Sequence, residues 1–227
     1  MSGIIEDFNN EKISSAYIKD FFSTGKTKLE QQGYRIISLE ENAALRILEG
    51  YESDVSRSGN IVREGVVIMP GILGGFLTKT PSFINNNPAP IRSTSTRNYL
   101  TDEEFNQSLV NSIKFSGKPI PADRFDEDPL TNFIFGRFSG DYGRFLKERG
   151  IDELILPIQA NTKSIRRPFI EYIFFEGINY HTGIDEWRGG KENLEGGERS
   201  SLIGLPDLPS IANPKLSPKL RGIKKLK

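Results

Sequence analysis

The chain has no cysteine, a single histidine (His181) and a single tryptophan (Trp187). Without cysteine there is no disulfide, no thiolate nucleophile and no Cys-ligated zinc. With one histidine, a zinc site would need carboxylates to complete it, and any histidine acid–base chemistry would have to run through His181. Net charge is absent as well. The 30 basic and 30 acidic residues cancel, so overall charge nominates neither nucleic acid nor a membrane as partner. Long apolar runs are missing too. The longest, residues 66–77 (VVIMPGILGGFL), is interrupted by Pro70, Gly71, Gly74 and Gly75 and is too short to span a bilayer as a helix. The opening stretch, MSGIIEDFNNEK, has an early acid and no apolar core, unlike a secretory signal. The expected location is cytoplasmic, or within a virus-like particle.

What is present is enough for one sizeable domain. Of the 227 residues, 36% are hydrophobic and 26% charged, a balance typical of folded chains. Asn10 can cap a helix from about Glu11 to Ser23, with Ile13, Tyr17 and Phe21 four apart. YRIISL (34–39) reads as a strand. Ser38 and Glu41 form a capping box for a helix that Gly50 ends, with Ala44, Leu48 and Tyr51 on one face. IVREGVVIM (61–69) reads as a strand, and ILGGFLTK as a second with a glycine bend. Thr101 and Glu104 form another capping box, ahead of Phe105, Leu109 and Ile113. LTNFIFGRF (130–138) alternates like a strand. Ser139 can cap a helix with Tyr142, Phe145 and Leu146 inward and Gly150 as its stop. DELILPIQ (152–159) and PFIEYIFFEGI (168–178) read as the last strands. The fold class expected is α+β: a mostly antiparallel sheet of about six strands, with three or four helices. A doubly wound sheet ranks second, because the elements do not repeat as β-α-β.

Two segments stand apart. Residues 79–98 form a polar stretch rich in Pro, Asn, Ser and Thr, a long loop of the kind that is usually functional or mobile. After Tyr180 the texture changes again. Residues 181–227 contain no Phe or Tyr, too little bulk to offset the entropy of ordering alone. The expected division is therefore a globular body, 1–180, and an extended C-terminal arm, 181–227. Isolated aliphatics along the arm, Leu205, Leu208, Ile211, Leu216, Leu220 and Ile223, can each enter a partner's pocket, with Trp187 as an anchor at the root.

Charge is unevenly placed. From Gly65 to Thr101 there is no acid, while Lys79, Arg92 and Arg97 are present. Acids then crowd residues 102–128. The end of the chain is basic, with Lys215, Lys219, Arg221, Lys224, Lys225 and Lys227. Opposed blocks favour contact between copies or with a patterned partner; solvated faces are the plain alternative.

Motifs with chemistry are weak. STGKTK (23–28) lacks the upstream glycine and the preceding strand of a phosphate loop. Gly71, Gly74 and Gly75 do not have dinucleotide-binding spacing. His181 with Asp185 and Glu186 has no nucleophile elbow to serve. DRFDED (123–128) lacks the alternating ligands of a calcium loop. No cofactor, metal or catalytic residue is assigned. The function expected is a non-enzymatic structural or adaptor subunit of a larger protein assembly, oligomeric or part of a large complex. Its partner-binding residues would be those of the arm, with loop contacts from Lys79, Arg92 and Arg97. Two alternatives stay open. One is a metal-assisted hydrolase using His181 with carboxylates of 123–128 or 185–186. The other is a nucleic-acid-binding accessory protein using the basic tip.

Overall fold

Strand β4, Asn60–Ile68, is the axis of the fold. In the computed structural model, which describes residues 2–8, 11–19, 27, 29–57, 60–79, 98–156, 166–175, 184–186 and 219–225, two sheets form. The main one has nine strands. Its first strands are β1 (Ser2–Phe8), β2 (Glu11–Lys19) and β3 (Arg35–Ile36); β5 (Gly75–Thr78), β6 (Asn98–Tyr99) and β7 (Ser112–Phe115) follow β4. Strands β10 (Phe169–Phe175) and β12 (Lys219–Lys225) complete it. The order along one path is β1-β2-β12-β4-β10-β6, with β3 on β12, and with β5 and β7 branching from β4. Every pairing in it is antiparallel except β12 with β4. A second sheet joins β8 (Ile120–Pro121), β9 (Glu153–Ile155) and β11 (Ile184–Glu186).

The second half of β4, Gly65–Ile68, is apolar throughout because both its faces are covered. Val66 and Ile68 join the main core with Phe169, and the cross-strand pair Val67 and Ile170 is fully buried on the opposite face. Against the core face lie three helices: α1 (Leu39–Glu49), α4 (Pro129–Phe135) and α5 (Ser139–Lys147). Two further helices are α2 (Asp54–Arg57) and α3 (Asp102–Leu109). Phe125, Phe135 and Tyr142 meet between them, with ring centroids 4.7 to 6.5 Å apart. Burying each such side chain contributes roughly 1.5–3 kcal/mol. Gly143 lets α5 approach a 3-10 turn at Ala122–Arg124; a Cβ there would lie 2.1 Å from the Ala122 carbonyl oxygen.

The α+β class and the antiparallel sheet stand. Several elements differ from expectation. Glu11–Ser23 is not helical over its described part but contains β2, which is paired with β1 on one edge and β12 on the other. Ile13, Ser15 and Tyr17 alternate as well as Ile13 and Tyr17 span a turn, and two flanking ladders decide between these patterns. LTNFIFGRF is not a strand. Asp128 caps α4, accepting from Leu130 and Thr131 N–H groups (2.8 and 3.1 Å), and Pro129 occupies the first turn. That Asp-Pro pair is a helix start. Thr131, Ile134 and Phe135 then bury one helical face. Leu48 is exposed, and α1 instead buries Leu39, Ala43, Ala44 and Leu45.

The boundary at Tyr180 does not end the described fold. Ile184–Glu186 pairs with β9, and Lys219–Lys225 lies in the main sheet between β2 and β4. A lone segment with little bulk cannot order itself, but a strand inserted between two others obtains its hydrogen bonds from both.

Candidate functional site

Two places in the fold gather chemistry. The first is a fork in the main sheet. One edge of β4 pairs with β12 at Asn60 and Ile61, then with β5 from Gly65 to Val67. On the other edge, the register with β10 shifts between Ile61 and Gly65, so Val62, Arg63 and Glu64 stand opposite Ile173 alone. Such a bulge bends the strand and re-aims its side chains. Here the Arg63 N–H donates to Ile37 O (3.0 Å). Glu64, 2% exposed, turns to the first turn of α1, where Leu39 N–H donates to its Oε2 (2.9 Å). Arg63 Nε is 3.7 Å from Oε1. Burial pushes the Glu64 carboxyl up to about 7, with the Glu41 charge adding to the rise and Arg63 and the two backbone hydrogen bonds opposing it.

Glu41 lies beside it with a different outcome. Burial pushes its carboxyl up, but the Arg35 guanidinium and the Ser38 N–H, both donating to it, bring it below its ordinary value. Arg35 is raised in turn, first by that hydrogen bond. Glu41 also completes the capping box with Ser38 that the spacing predicts. Glu64 escaped notice in the sequence. The signal was there: an adjacent Arg63–Glu64 pair set between apolar residues of one strand, in IVREGVVI.

The second place is a groove of about 510 Å³ between α4 and the chain from β7 to β8. Ile113, Phe115, Ile120, Pro129, Leu130 and Leu156 form its apolar walls. Lys114 and Lys118, both exposed, stand on its rim and make no ion pair among the described residues. The lining acid, Asp128, is engaged in capping α4. Nearby, Lys79 Nζ sits 4.8 Å from the centre of the Phe133 ring of α4, a cation–π contact, while its N–H donates to Asn111 O (2.9 Å). Gly74 allows the turn between β4 and β5 to close on this region: its φ is +88°, and a Cβ would meet Phe115 O at 2.0 Å.

Of the residues expected to make contacts, Lys79 is placed at the α4 side of β5. Arg92, Arg97, Trp187, Leu205, Leu208, Ile211, Lys215 and Leu216 lie outside the described residues, as does His181. Lys219, Leu220, Arg221, Ile223, Lys224 and Lys225 form β12, whose backbone pairs within this chain. Carboxylates of 123–128 divide between two places: Asp123 and Asp126 line a pocket beside Arg144 and Lys147, and Asp128 lines the groove. Asp123 pairs with Lys147 (3.1 Å), which holds its carboxyl below the usual value, and Asp128 is the α4 cap. Among the described residues no group of three or more acids and histidines could hold a metal ion. Among them, too, no helix is long and apolar enough to cross a membrane.

No family model matches the chain. No curated protein matches it either. In shape it is similar to a solved structure described as showing accommodation of massive sequence variation in Nanoarchaeota by the C-type lectin fold. The match has a TM-score of 0.55, spans 97% of this chain and 100% of that one, and joins sequences 14% identical. A likeness at that identity carries the fold: the chain has a C-type lectin fold.

Proposed function

We propose that this C-type lectin fold serves as a non-enzymatic binding subunit of a larger protein assembly. The observation that carries the reading is the groove beside α4: apolar walls, two lysines on the rim with no ion pair among the described residues, and a lining acid, Asp128, committed to a helix cap. A protein segment with an aliphatic side chain and flanking acids complements that combination. Apolar burial would supply affinity, and the lysines orientation and association rate. The chain between 187 and 218, with Trp187, Leu205, Leu208, Ile211, Lys215 and Leu216, is a second contact in this proposal. Arg92 and Arg97 belong with Lys79 as loop contacts. The solved relative in shape is described as accommodating massive sequence variation; a scaffold tolerant of surface change suits a subunit whose partners differ.

The test is the native mass of the protein as isolated from its source, measured by light scattering. A defined complex is expected, and the full chain carrying Lys114→Glu with Lys118→Glu should no longer enter it. Recovery as a lone 25.5 kDa species would exclude an assembly role.

A further inference from the structure

We propose that Glu64 is a proton-operated clasp at the sheet fork. In its neutral form it fastens the first turn of α1 into the bulge of β4; on ionisation it favours opening of the fork, where β3 and β12 attach. Three observations place it there. The bulge at Val62–Glu64 directs this side chain to the Leu39 N–H. The neighbouring residue, Arg63, ties β4 to Ile37, directly after β3. β3 itself holds Gly222 and Ile223 of β12 through Ile36 and Arg35. One carboxyl therefore sits where a helix start, a bulge and a change of strand partner coincide.

Among the described residues the charges around it are few. Arg63 comes from β4 and is 44% exposed, so solvent competes for it. From α1 comes Glu41, whose negative charge opposes ionisation of Glu64. Arg35 of β3 is held by Glu41. β12 carries Lys219, Arg221, Lys224 and Lys225 along its length, and Glu171 of β10 pairs with Val66, two residues beyond Glu64. Among the described residues Arg63 is placed beside the carboxyl, at 3.7 Å. For a carboxylate sealed from water, two backbone N–H donors and one half-exposed cation do not make up the lost hydration, and opening to water relieves it.

Opening that returns Glu64 to water releases its proton at an ordinary pKa. Its equilibrium constant should then rise on the order of fifty-fold between about pH 5 and about pH 8. Hydrogen exchange on the full chain, corrected for intrinsic rates, reads this at the amides of Leu39 and Arg63. The Leu100 amide, which donates to Pro168 O, is the control. The expected result is a rise at the fork and not at the control, abolished in Glu64→Gln. Equal pH dependence at both places, or its persistence in Glu64→Gln, would overturn the clasp. Should that variant fail to fold, the carboxyl carbon of Glu64 in the unaltered protein is followed by NMR. A midpoint near neutrality supports the proposal, and one near the ordinary carboxyl value ends it.

Discussion

Arg46 and Asn42 stand four apart on α1, and both are fully buried. The guanidinium of Arg46 donates to Val55 O (3.2 Å) and to the Tyr142 hydroxyl (2.8 Å), so a charge in the core is held by groups from two other segments. Removing one partner of a buried charge is costly. Tyr142→Phe should destabilise the fold by roughly 1–3 kcal/mol, read as a lower urea midpoint. Asn42 is the opposite case, since neither atom of its amide has a hydrogen-bond partner among the described residues. Asn42→Leu, of similar volume, should raise that midpoint; a lower one would mean the amide has a role in the core. The two acids at the fork act on stability in opposite pH ranges. Glu64 holds a proton up to about 7 that the unfolded chain releases near 4.5. Its contribution is fully present below the lower value and falls as pH rises, by on the order of 3 kcal/mol in all. Glu41, lowered by its partners, contributes stability above its unfolded value that is lost as pH falls through its folded one. For this pair the optimum lies in mild acid. Unfolding across pH should show a decline toward neutrality that Glu64→Gln removes.

At the level of elements, local chemistry decided three helix starts, but Ser139, expected to cap α5, is its first residue and donates its hydroxyl to Phe125 O instead. Both capping boxes, Ser38 with Glu41 and Thr101 with Glu104, form as their spacing predicts. Ser38→Ala and Thr101→Ala should each lower stability by about 1 kcal/mol. Ser38→Ala should have the greater effect, because Ser38 is buried beside Glu64's helix end while Thr101 is exposed. Thermal unfolding of the two variants compares them. The helix α5 depends on close approach. Gly143→Ala would drive a methyl into the Ala122 carbonyl, so a loss of roughly 1–3 kcal/mol is expected from overpacking. Strands were less legible. An apolar spacing of four in residues 13–21 serves a helix or a strand, and pairing partners far along the chain choose. The groove shows the same division. Lys114, Lys118 and Pro129 can be read off the sequence, but that β7 and α4 lie side by side is a matter of packing.

For the molecule as a whole, β12 is the joint. It links the β1–β2 pair to β4, from the far end of the chain. Proline at Ile223 would remove a ladder donor and collide with a neighbouring strand. Ile223→Pro should detach β2 and expose residues 11–19 to limited proteolysis, while α1, α4 and α5 stay protected. Cleavage in the helices at the same rate would show that the sheet does not divide this way. By itself the sequence determined the α+β class, a strand over residues 61–69, the two capping-box helix starts and the absence of cysteine chemistry. Those follow from periodicity, capping and composition, which act over a few residues. Only tertiary structure decided that β2 is a strand, that residues 219–225 return to the sheet, and that Glu64 is sealed from water. Each depends on a neighbour distant in the chain, whose hydrogen bonds or bulk can outweigh local preference but leave no mark in the local pattern.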